Sequence, residues 1–532
     1  QQINELEPQY SFVFTEVKLS QFYGIELDDF AHEMAILSLW LAEHQMNKDF
    51  VSELHDYGKA KPILPLKEAG HITQGNATRL NWDDTCPKKA DDEIYILGNP
   101  PYDGYHKQSE SQKQDMSFVF AGLNGFKKLD YISCWFYISS KYIQGSKAKC
   151  ALVTTNSVCQ GIQVDLLWTL LFNRNIEIDF AYQSFKWSNN AKGNAKVTVI
   201  IVCLRELGVY GNKYIYNETK KIKVNNISPY LTQSNNIIVR SRSISISNLP
   251  KMVSGLKAGD DGNLTLSERE MGELIKTNPE TKRFIKKYIG ANEFLKNINR
   301  YCIWVTEKDV DFANSIPSLA VRFEKLKKFR LKSKKKATQK KAATPYKFDE
   351  SNFKDFDSII IPQTTSEKRE YIPIGFLSSD FVISNGARAI FDAEPWIFGV
   401  LTSKMHNAWV QAVAGRLETR IQYSNTLCYN TFPFPEISQK QKEQINLHVF
   451  EILEEREKHS GKNLAQLYDP IKMPKGLKEA HHQLDLAIER CYRLRLFESD
   501  TERLEYLFKE YEKMIAKSTL FEKPKRTRKK KA

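Results

Sequence analysis

The residues with the clearest chemical potential form the tetrapeptide Asn99-Pro100-Pro101-Tyr102, which directly follows the apolar segment 93–98. Both prolines lack a backbone N–H, so this turn offers acceptors only: the Asn99 side-chain oxygen and the Pro100 carbonyl oxygen. Two acceptors suit the two hydrogens of an amine, and binding both directs the nitrogen lone pair toward a methyl donor. Tyr102 adds a ring on which a base can stack, a contact worth about 1–3 kcal/mol. The alternative is an ordinary proline-rich turn.

The elements that must position this turn form an alternating pattern. Between about residues 21 and 204, short apolar segments alternate with longer amphipathic segments, which predicts a parallel α/β sheet. The predicted strands have the sequences QFYGIEL, EIYILGN, KCALVTT, IEIDFAY and VTVIIVCL. Apolar residues at helical spacing predict a helix over 30–45. In open α/β sheets, ligands bind at the carboxyl ends of strands, which is where Asn99 would lie.

The charge of the chain predicts a polyanionic partner. Its 78 Lys+Arg against 64 Asp+Glu give a net charge of +14, and the segment Lys325–Lys341 holds ten basic and no acidic residues. Such a segment binds nucleic acid through counterion release, although a solvated loop is the alternative. The chain ends in KPKRTRKKKA, which is basic and lacks apolar residues to pack, so a disordered tail with affinity for phosphate is predicted over 521–532.

Other classes of protein are disfavoured by what the sequence contains. Eight cysteines are scattered without a C-x-x-C pair, which indicates free thiols in a reducing compartment. No apolar stretch is long enough to span a bilayer, so we expect a cytoplasmic protein with no membrane partner. His32 and Glu33 begin like the zinc motif H-E-x-x-H, but Ile36 occupies the last position, so no metal site is predicted.

The motifs together resemble one known family. The MmeI-like class of restriction-modification proteins is similar to this sequence across nearly the whole chain, in which the following segments occur in order: FYGIELDDFAHEMAILSLWLAEHQMN, GNATRLNWDD, GNPPY, TTNSVCQG, FKWSNNAKGNAKVTVIIV and GRLETRIQYSNTLCYNTFPFP. The Asn form of the NPPY motif resembles that of adenine rather than cytosine methyltransferases. Some protein-glutamine and ribosomal-RNA methyltransferases share NPPY, but the long region after residue 254 argues against them.

The resemblance implies a fold and an activity. The fold would be a Rossmann-like doubly wound methyltransferase sheet, followed by an α+β target-recognition domain and a C-terminal helical region. The activity would be site-specific methylation of adenine in double-stranded DNA, with S-adenosylmethionine as cofactor, within a restriction-modification system. The expected boundaries are 1–253 for the methyltransferase domain, 254–436 for the recognition domain, 437–520 for the helical region and 521–532 for the tail.

The resemblance also implies a cofactor site. Glu26, at the end of the first predicted strand, would hold the cofactor ribose, as acidic residues do in nucleotide-binding sheets; a solvated carboxylate is the alternative. Asn76 and Ala77 occupy the place where the family contacts the cofactor adenine, with Asn76 standing where many relatives have Asp. Asn99 would border the same cofactor.

A second aromatic side chain is expected against the target base. By the resemblance, Phe185 or Trp187 would pack on the face of the base opposite Tyr102. Either residue is equally consistent with a place in the protein core.

The DNA-reading residues are expected in the segment 415–425. Glu418, Arg420 and Gln422 are two apart, so on an extended segment they face one side. Glu can accept from cytosine and Arg can bind guanine through two hydrogen bonds, so this row would read one or two base pairs, as the family's segment does. A surface salt bridge is the alternative. Phosphates would be held, without sequence specificity, by Arg330, Lys332, Lys334, Lys335 and Lys336.

One expected part has no counterpart in the sequence. A glycine-rich loop after the first strand should bind the methionine part of the cofactor, yet residues 1–20 contain no glycine. We therefore expect a fragment that begins after the first strand and its loop, with any nuclease domain further upstream. The alternative function is a DNA-recognition fragment that transfers no methyl group.

Overall fold

The structure is a computed structural model. It describes residues 17–53, 70–187, 197–350, 354–417 and 419–521. The chain divides into two compact units, the first formed by 1–158 with 166–227 and the second by 159–165 with 228–532. No helix within the described ranges has the length and apolar character that crossing a membrane requires.

The first unit contains two sheets. A two-stranded parallel sheet consists of β1 (Tyr23–Glu26) and β2 (His71–Gln74). A six-stranded mixed sheet has the order β3-β4-β6-β5-β7-β8. Its strands are β3 Tyr95–Gly98, β4 Lys149–Thr155, β5 Ile176–Trp187, β6 Val197–Glu206, β7 Lys213–Tyr216 and β8 Lys221–Val224.

The predicted α/β fold is confirmed, with one correction. Each of the five predicted strands corresponds to an observed strand, namely β1, β3, β4, β5 and β6. The prediction of an all-parallel sheet was wrong, because β6 runs antiparallel to both β4 and β5. The connection from residue 187 to 197 is too short for a parallel crossover, which needs a dozen residues or more. The short, polar strand β2 was not predicted.

Helices of the first unit connect these strands. The predicted helix over 30–45 is observed as α1, and Asp28 caps it by accepting a hydrogen bond from the Ala31 N–H. Ser109 and Gln112 form a reciprocal capping box at the start of α3. The helices are α1 Asp29–Glu53, α2 Trp82–Thr85, α3 Glu110–Val119, α4 Ser133–Tyr142 and α6 Thr169–Phe172; α5, Gly161–Gln163, belongs to the second unit.

Charged side chains are buried at the end of the large sheet where β4 and β5 begin. Arg205 donates to Glu177 at 2.7 Å and to Asp179 at 2.5 Å, Lys213 donates to Glu177 at 2.7 Å, and Lys149 donates to Asp179 at 3.0 Å. Each carboxylate thus has two cationic partners, which offsets the cost of removing it from water. This network joins side chains of β4, β5, β6 and β7 at the edge of the sheet opposite the carboxyl ends of β3 and β4.

The second unit contains three small sheets and most of the helices. The strand orders are β10-β12-β11-β16, β15-β13-β17-β9 and β14-β19-β18. Its strands are β9 Met252–Ser254, β10 Thr265–Ser267, β11 Ile285–Ile289, β12 Arg300–Ile303, β13 Ser358–Pro362, β14 Thr364–Thr365, β15 Gly375–Leu377, β16 Phe381–Ile383, β17 Ala387–Phe391, β18 Gly415–Leu417 and β19 Arg420–Gln422. Its α-helices from residue 268 onward are α7 Glu268–Thr277, α8 Ala291–Lys296, α9 Val310–Ser315, α10 Pro317–Leu331, α11 Lys336–Lys340, α12 Pro395–Thr402, α13 Lys404–Val413, α14 Gln439–Glu457, α15 Leu464–Leu467, α16 Lys475–Tyr492 and α17 Asp500–Phe521.

The C-terminal part of the second unit is helical, as its amphipathic pattern predicts. Ile445 and Val449 on α14 are buried, and so is Leu484 on α16. These side chains pack at Gly399 of α12, where a Cβ atom would lie 2.6 Å from Ile445 and 3.3 Å from Leu484. The glycine therefore allows the three helices to approach closely.

Candidate functional site

The Asn99–Tyr102 turn begins directly after β3, which pairs in parallel with β4 through Gly98 and Leu152. The Asn99 side chain is exposed and has no hydrogen-bond partner among the residues that the structure describes. Pro100 is buried and Tyr102 is half-buried. The turn is thus anchored by one proline ring, and its Asn99 acceptor remains available to a ligand.

The residues after the turn are held by hydrogen bonds. The Asp103 carbonyl accepts from the Tyr131 N–H at 2.9 Å, and the Asp103 carboxylate accepts from the Gln112 amide at 2.9 Å. The buried Gln108 amide donates to the Leu129 carbonyl at 2.9 Å. Gln108 and Gln112 therefore fix the path of the chain just past Tyr102. Sequence reasoning missed both, and the only available signal was the capping pattern of Gln112 with Ser109.

The carboxyl ends of β3, β4 and β5 lie at the same edge of the large sheet, because β6 is antiparallel to both β4 and β5. Directly after β4, the Asn156 amide donates to the Ser184 hydroxyl of β5 at 2.7 Å, which ties the two strand ends together. The edge thus carries both the Asn99 turn and the end of β5. The strands β4 and β6 lie between β3 and β5, so three strand spacings, or about 14 Å, separate the Asn99 turn from the end of β5.

The two candidates for the second aromatic differ in what the structure describes. Phe185 is half-buried and meets Tyr182 edge to face, with ring centroids 5.1 Å apart. The side chain of Trp187 lies outside the described part of the chain. Their stacking on a base stays a prediction.

Glu26 lies at the carboxyl end of β1, next to the carboxyl end of β2. The two strands are parallel with Glu26 opposite Gln74, and the Gly75 N–H donates to the Glu26 carbonyl at 2.8 Å. The Glu26 side chain makes no ion pair with the described residues. This arrangement brings Glu26, which is predicted to bind the cofactor ribose, beside the turn that starts at Gly75.

The side chain of Asn76 is used inside that turn. Its oxygen accepts from the Thr78 N–H at 2.9 Å and from the Thr78 hydroxyl at 2.7 Å, while its nitrogen donates to Asp115 at 3.0 Å. The Ala77 carbonyl accepts from the Trp82 indole at 2.9 Å. The Ala77 N–H has no acceptor among the described residues. Of the two residues, Ala77 therefore offers the available hydrogen-bond donor.

The predicted recognition row lies on a three-stranded antiparallel sheet. Arg420 is exposed, Ile421 is buried on the opposite face, and Tyr423 is buried with its hydroxyl 2.8 Å from the His406 ring. The Gln422 amide donates to the Thr364 hydroxyl of the neighbouring strand β14 at 2.8 Å. Glu418 lies outside the described residues. Arg420 and Gln422 thus share one face, as their spacing predicts.

A glycine contact supports the start of this sheet. Gly161 has φ +59°, and a Cβ atom there would lie 2.9 Å from the Cα of Gly415, the first residue of β18. A side chain at position 161 would be strained and would displace β18. Sequence reasoning missed this contact, for which the spacing of residues gives no signal.

The basic segment separates into exposed and buried residues. The four lysines that are predicted to contact phosphate are exposed, and that contact stays a prediction: Lys332, Lys334, Lys335 and Lys336. Arg330 is fully buried, and its guanidinium donates to the carbonyls of Lys341, Thr344 and Lys347 at 2.7–3.0 Å. The expectation that Arg330 binds phosphate was therefore wrong. Burial also lowers the pKa of Arg330 from its ordinary value.

The role of Arg330 leads to a stability prediction. Arg330→Ala is expected to lower the free energy of unfolding by about 2 kcal/mol or more, because three partly buried carbonyls lose a charged donor. Lys332→Ala, two residues away and exposed, serves as the control and should change it by less than about 0.5 kcal/mol. Urea denaturation measures both values. Equal small effects would mean that the Arg330 hydrogen bonds contribute nothing.

Family models match nearly the whole chain. Residues 1–217 match the model described as "MmeI, DNA-methyltransferase domain". Residues 233–436 match "MmeI, target recognition domain", and residues 437–519 match "MmeI, C-terminal domain".

Two individual proteins are similar over most of the chain. DNA methyltransferase A of Bacillus subtilis (strain 168) is 47% identical over 513 residues, which cover 96% of this chain and 58% of that protein. The solved structure of the Type IIL restriction-modification enzyme MmeI in complex with DNA matches with a TM-score of 0.80 and 38% identity, covering 94% of this chain and 67% of that one. The chain therefore spans little more than half the length of the curated relative.

Proposed function

The chain belongs to the MmeI family, and on that premise we propose that it methylates adenine in double-stranded DNA at a specific sequence, within a restriction-modification system. The observation that carries the proposal is the exposed Asn99 acceptor at the carboxyl end of β3. Within the chain we propose a methyltransferase domain over 1–253, a recognition domain over 254–436, a helical region over 437–520 and a basic tail over 521–532.

The chemistry assigned to the turn follows from its acceptors. The target adenine leaves the duplex, at a cost of about a few kcal/mol, and stacks on Tyr102. The Asn99 side-chain oxygen and the Pro100 carbonyl oxygen each accept one hydrogen of the exocyclic amine. The nitrogen lone pair is then directed away from the ring, where it would form the new N–C bond as the S–C bond of the methyl donor breaks and leaves its electron pair on sulfur. Because Asn99 and Pro100 are neutral acceptors, the proton of the methylated amine passes to water.

The cofactor that we propose is S-adenosylmethionine, which supplies the methyl group when it is bound. The residues of the first unit fit its nucleoside: Glu26 offers a carboxylate for two ribose hydroxyls, and the Ala77 N–H offers a donor for the adenine ring. Both lie at the carboxyl ends of adjacent parallel strands, the usual position of nucleotide ligands.

The DNA contacts that we propose divide into two kinds. Arg420 and Gln422, with Glu418, read base edges, whereas Lys332, Lys334, Lys335 and Lys336 hold phosphates. We propose that the protein acts in the cytoplasm, since its cysteines are all free thiols and the reducing cytoplasm keeps them so.

The direct test is to incubate the full-length protein with S-adenosylmethionine and a duplex library, and to locate the modified bases by sequencing. We expect N6-methyladenine at one recurrent short sequence. Methylcytosine, methylation without sequence preference, or no methylation would each contradict the proposal.

The phosphate contacts make a separate prediction. Lys334→Ala with Lys335→Ala should weaken binding to every duplex alike and lower the slope of log K against log salt concentration by about two units, because each lost contact removes about 0.9. Binding is measured by fluorescence anisotropy between 50 and 200 mM salt, as a range of about fourfold suits this slope. The control is Lys440→Ala with Lys462→Ala, two exposed residues that carry the same charge. If both pairs lower the slope equally, the effect is one of net charge, and the local assignment is wrong.

A further inference from the structure

Asp115, on α3, lies at the centre of a hydrogen-bonded cluster that reaches the proposed cofactor turn. Its carboxylate is buried, with 6% of the residue exposed. It accepts from the Arg79 Nε at 2.6 Å, from the Tyr131 hydroxyl at 2.7 Å and from the Asn76 amide at 3.0 Å. Two of these three donors belong to the Gly75–Leu80 turn, so a residue of a distant helix determines the shape of that turn.

The electrostatics of the cluster favour a charged Asp115. Burial acts to raise the pKa of this carboxyl, but the hydrogen bonds from Tyr131, Arg79 and Asn76 outweigh it, so its pKa lies below the ordinary value. The guanidinium of Arg79 is held from its other side by the Phe118 ring, 4.6 Å from the ring centroid. A buried, ionised anchor of this kind fixes geometry more strictly than an apolar contact would.

The cluster also explains why position 76 is an amide. Asn76 must accept from Thr78 with its oxygen and donate to Asp115 with its nitrogen. A carboxylate at position 76 has no donor and would face a second carboxylate at about the same distance, an arrangement in which two ionised groups repel. The hydrogen bonds to Thr78 and Asp115 thus account for the amide at position 76.

We propose that Asp115 is a positioning residue for the cofactor: through Asn76 and Arg79 it holds the Gly75–Leu80 turn in the conformation that leaves the Ala77 N–H available to the adenine of S-adenosylmethionine. This inference rests on the proposed function. Asn76 then contributes to cofactor binding through the turn, without contacting the cofactor with its side chain. Preorganisation of this kind strengthens binding because the turn loses no freedom when the ligand arrives.

The test exchanges the two groups of the Asn76–Asp115 pair in the full-length protein. Asn76→Asp and Asp115→Asn are each expected to raise the Kd for S-adenosylmethionine about tenfold, which corresponds to about 1.4 kcal/mol. The double variant, which restores one amide and one carboxylate, should return the Kd to within about threefold of the unsubstituted protein. Isothermal titration measures cofactor binding, and fluorescence anisotropy measures DNA binding, which should not change.

The controls separate positioning from folding. Glu110→Gln removes an exposed ion pair from the same helix and should leave both affinities unchanged. In methylation assays the single variants should raise KM for S-adenosylmethionine while kcat at saturation stays within about twofold, since only ground-state positioning is lost. If Asp115→Asn does not fold, Arg79→Gln removes a donor to the same carboxylate from a partly exposed site and carries the same expectation.

Three results would overturn the inference. The single variants would bind the cofactor as tightly as the unsubstituted protein, or the double variant would bind no better than Asn76→Asp, or DNA binding would weaken in parallel with cofactor binding. If the unsubstituted protein itself binds no S-adenosylmethionine, the proposed function fails instead, and the two failures are thus distinguishable.

Discussion

Replacing Asn99 with alanine is expected to lower the rate of adenine methylation by about two to three decades, the usual effect of removing one preorganised hydrogen-bonding group from a transition state. The substitution removes the side-chain acceptor of the amine and leaves the Pro100 carbonyl in place. Because Asn99 is exposed and has no partner among the described residues, its loss should not disturb the fold. DNA binding should stay within about twofold of the unsubstituted protein.

Single-turnover methylation of a duplex carrying the recognised sequence measures the chemical step without interference from product release. Asn173→Ala, an exposed asparagine at the end of α6, is the matched control and should react at the normal rate. A rate within about threefold of normal for Asn99→Ala would show that the amine is activated elsewhere, since a lost transition-state acceptor costs far more. A parallel loss of DNA binding would point instead to a structural defect.

Sequence reasoning succeeded where a periodic or local signal existed. The apolar segment before Asn99 is observed as β3, and the stripes that contain Ile445 and Leu484 are observed as buried helix faces. Both signals are local, because a strand or a helix face is determined by the pattern of residues that are close in the sequence.

It failed where the outcome depends on tertiary contacts. Arg330 lies in the most basic segment of the chain, yet it continues the buried stripe of Leu319, Phe323 and Leu326, each three or four residues apart. That stripe was the available signal, and the surrounding lysines obscured it. The Asp115 cluster gives no such signal, since Asn76 and Tyr131 are far from it in sequence and only the fold brings them together.

The three-stranded sheet of β14, β19 and β18 orients the residues that we propose to read bases. Gln422 is tied to Thr364 by a hydrogen bond, so one end of its amide is oriented before DNA arrives. Arg420, two residues earlier, is exposed on the same face. A preorganised amide on the same face as an exposed arginine favours reading of adjacent base pairs, because Arg suits guanine and Gln suits adenine.

The last prediction exchanges charge at this face. Glu418→Lys with Arg420→Asp should change which base pair is methylated at one position of the site, because donor and acceptor are exchanged across the pair. Each contact of this kind discriminates by about 1–3 kcal/mol, so the preferred base should reverse in an assay of all four bases at each position. The control is Glu273→Lys with Arg269→Asp, the same exchange on an exposed ion pair of α7, which should leave the preference unchanged. If the substitutions at 418 and 420 weaken methylation of every sequence equally, the row is a backbone clamp or a surface ion pair. Base reading must then come from another part of the recognition domain.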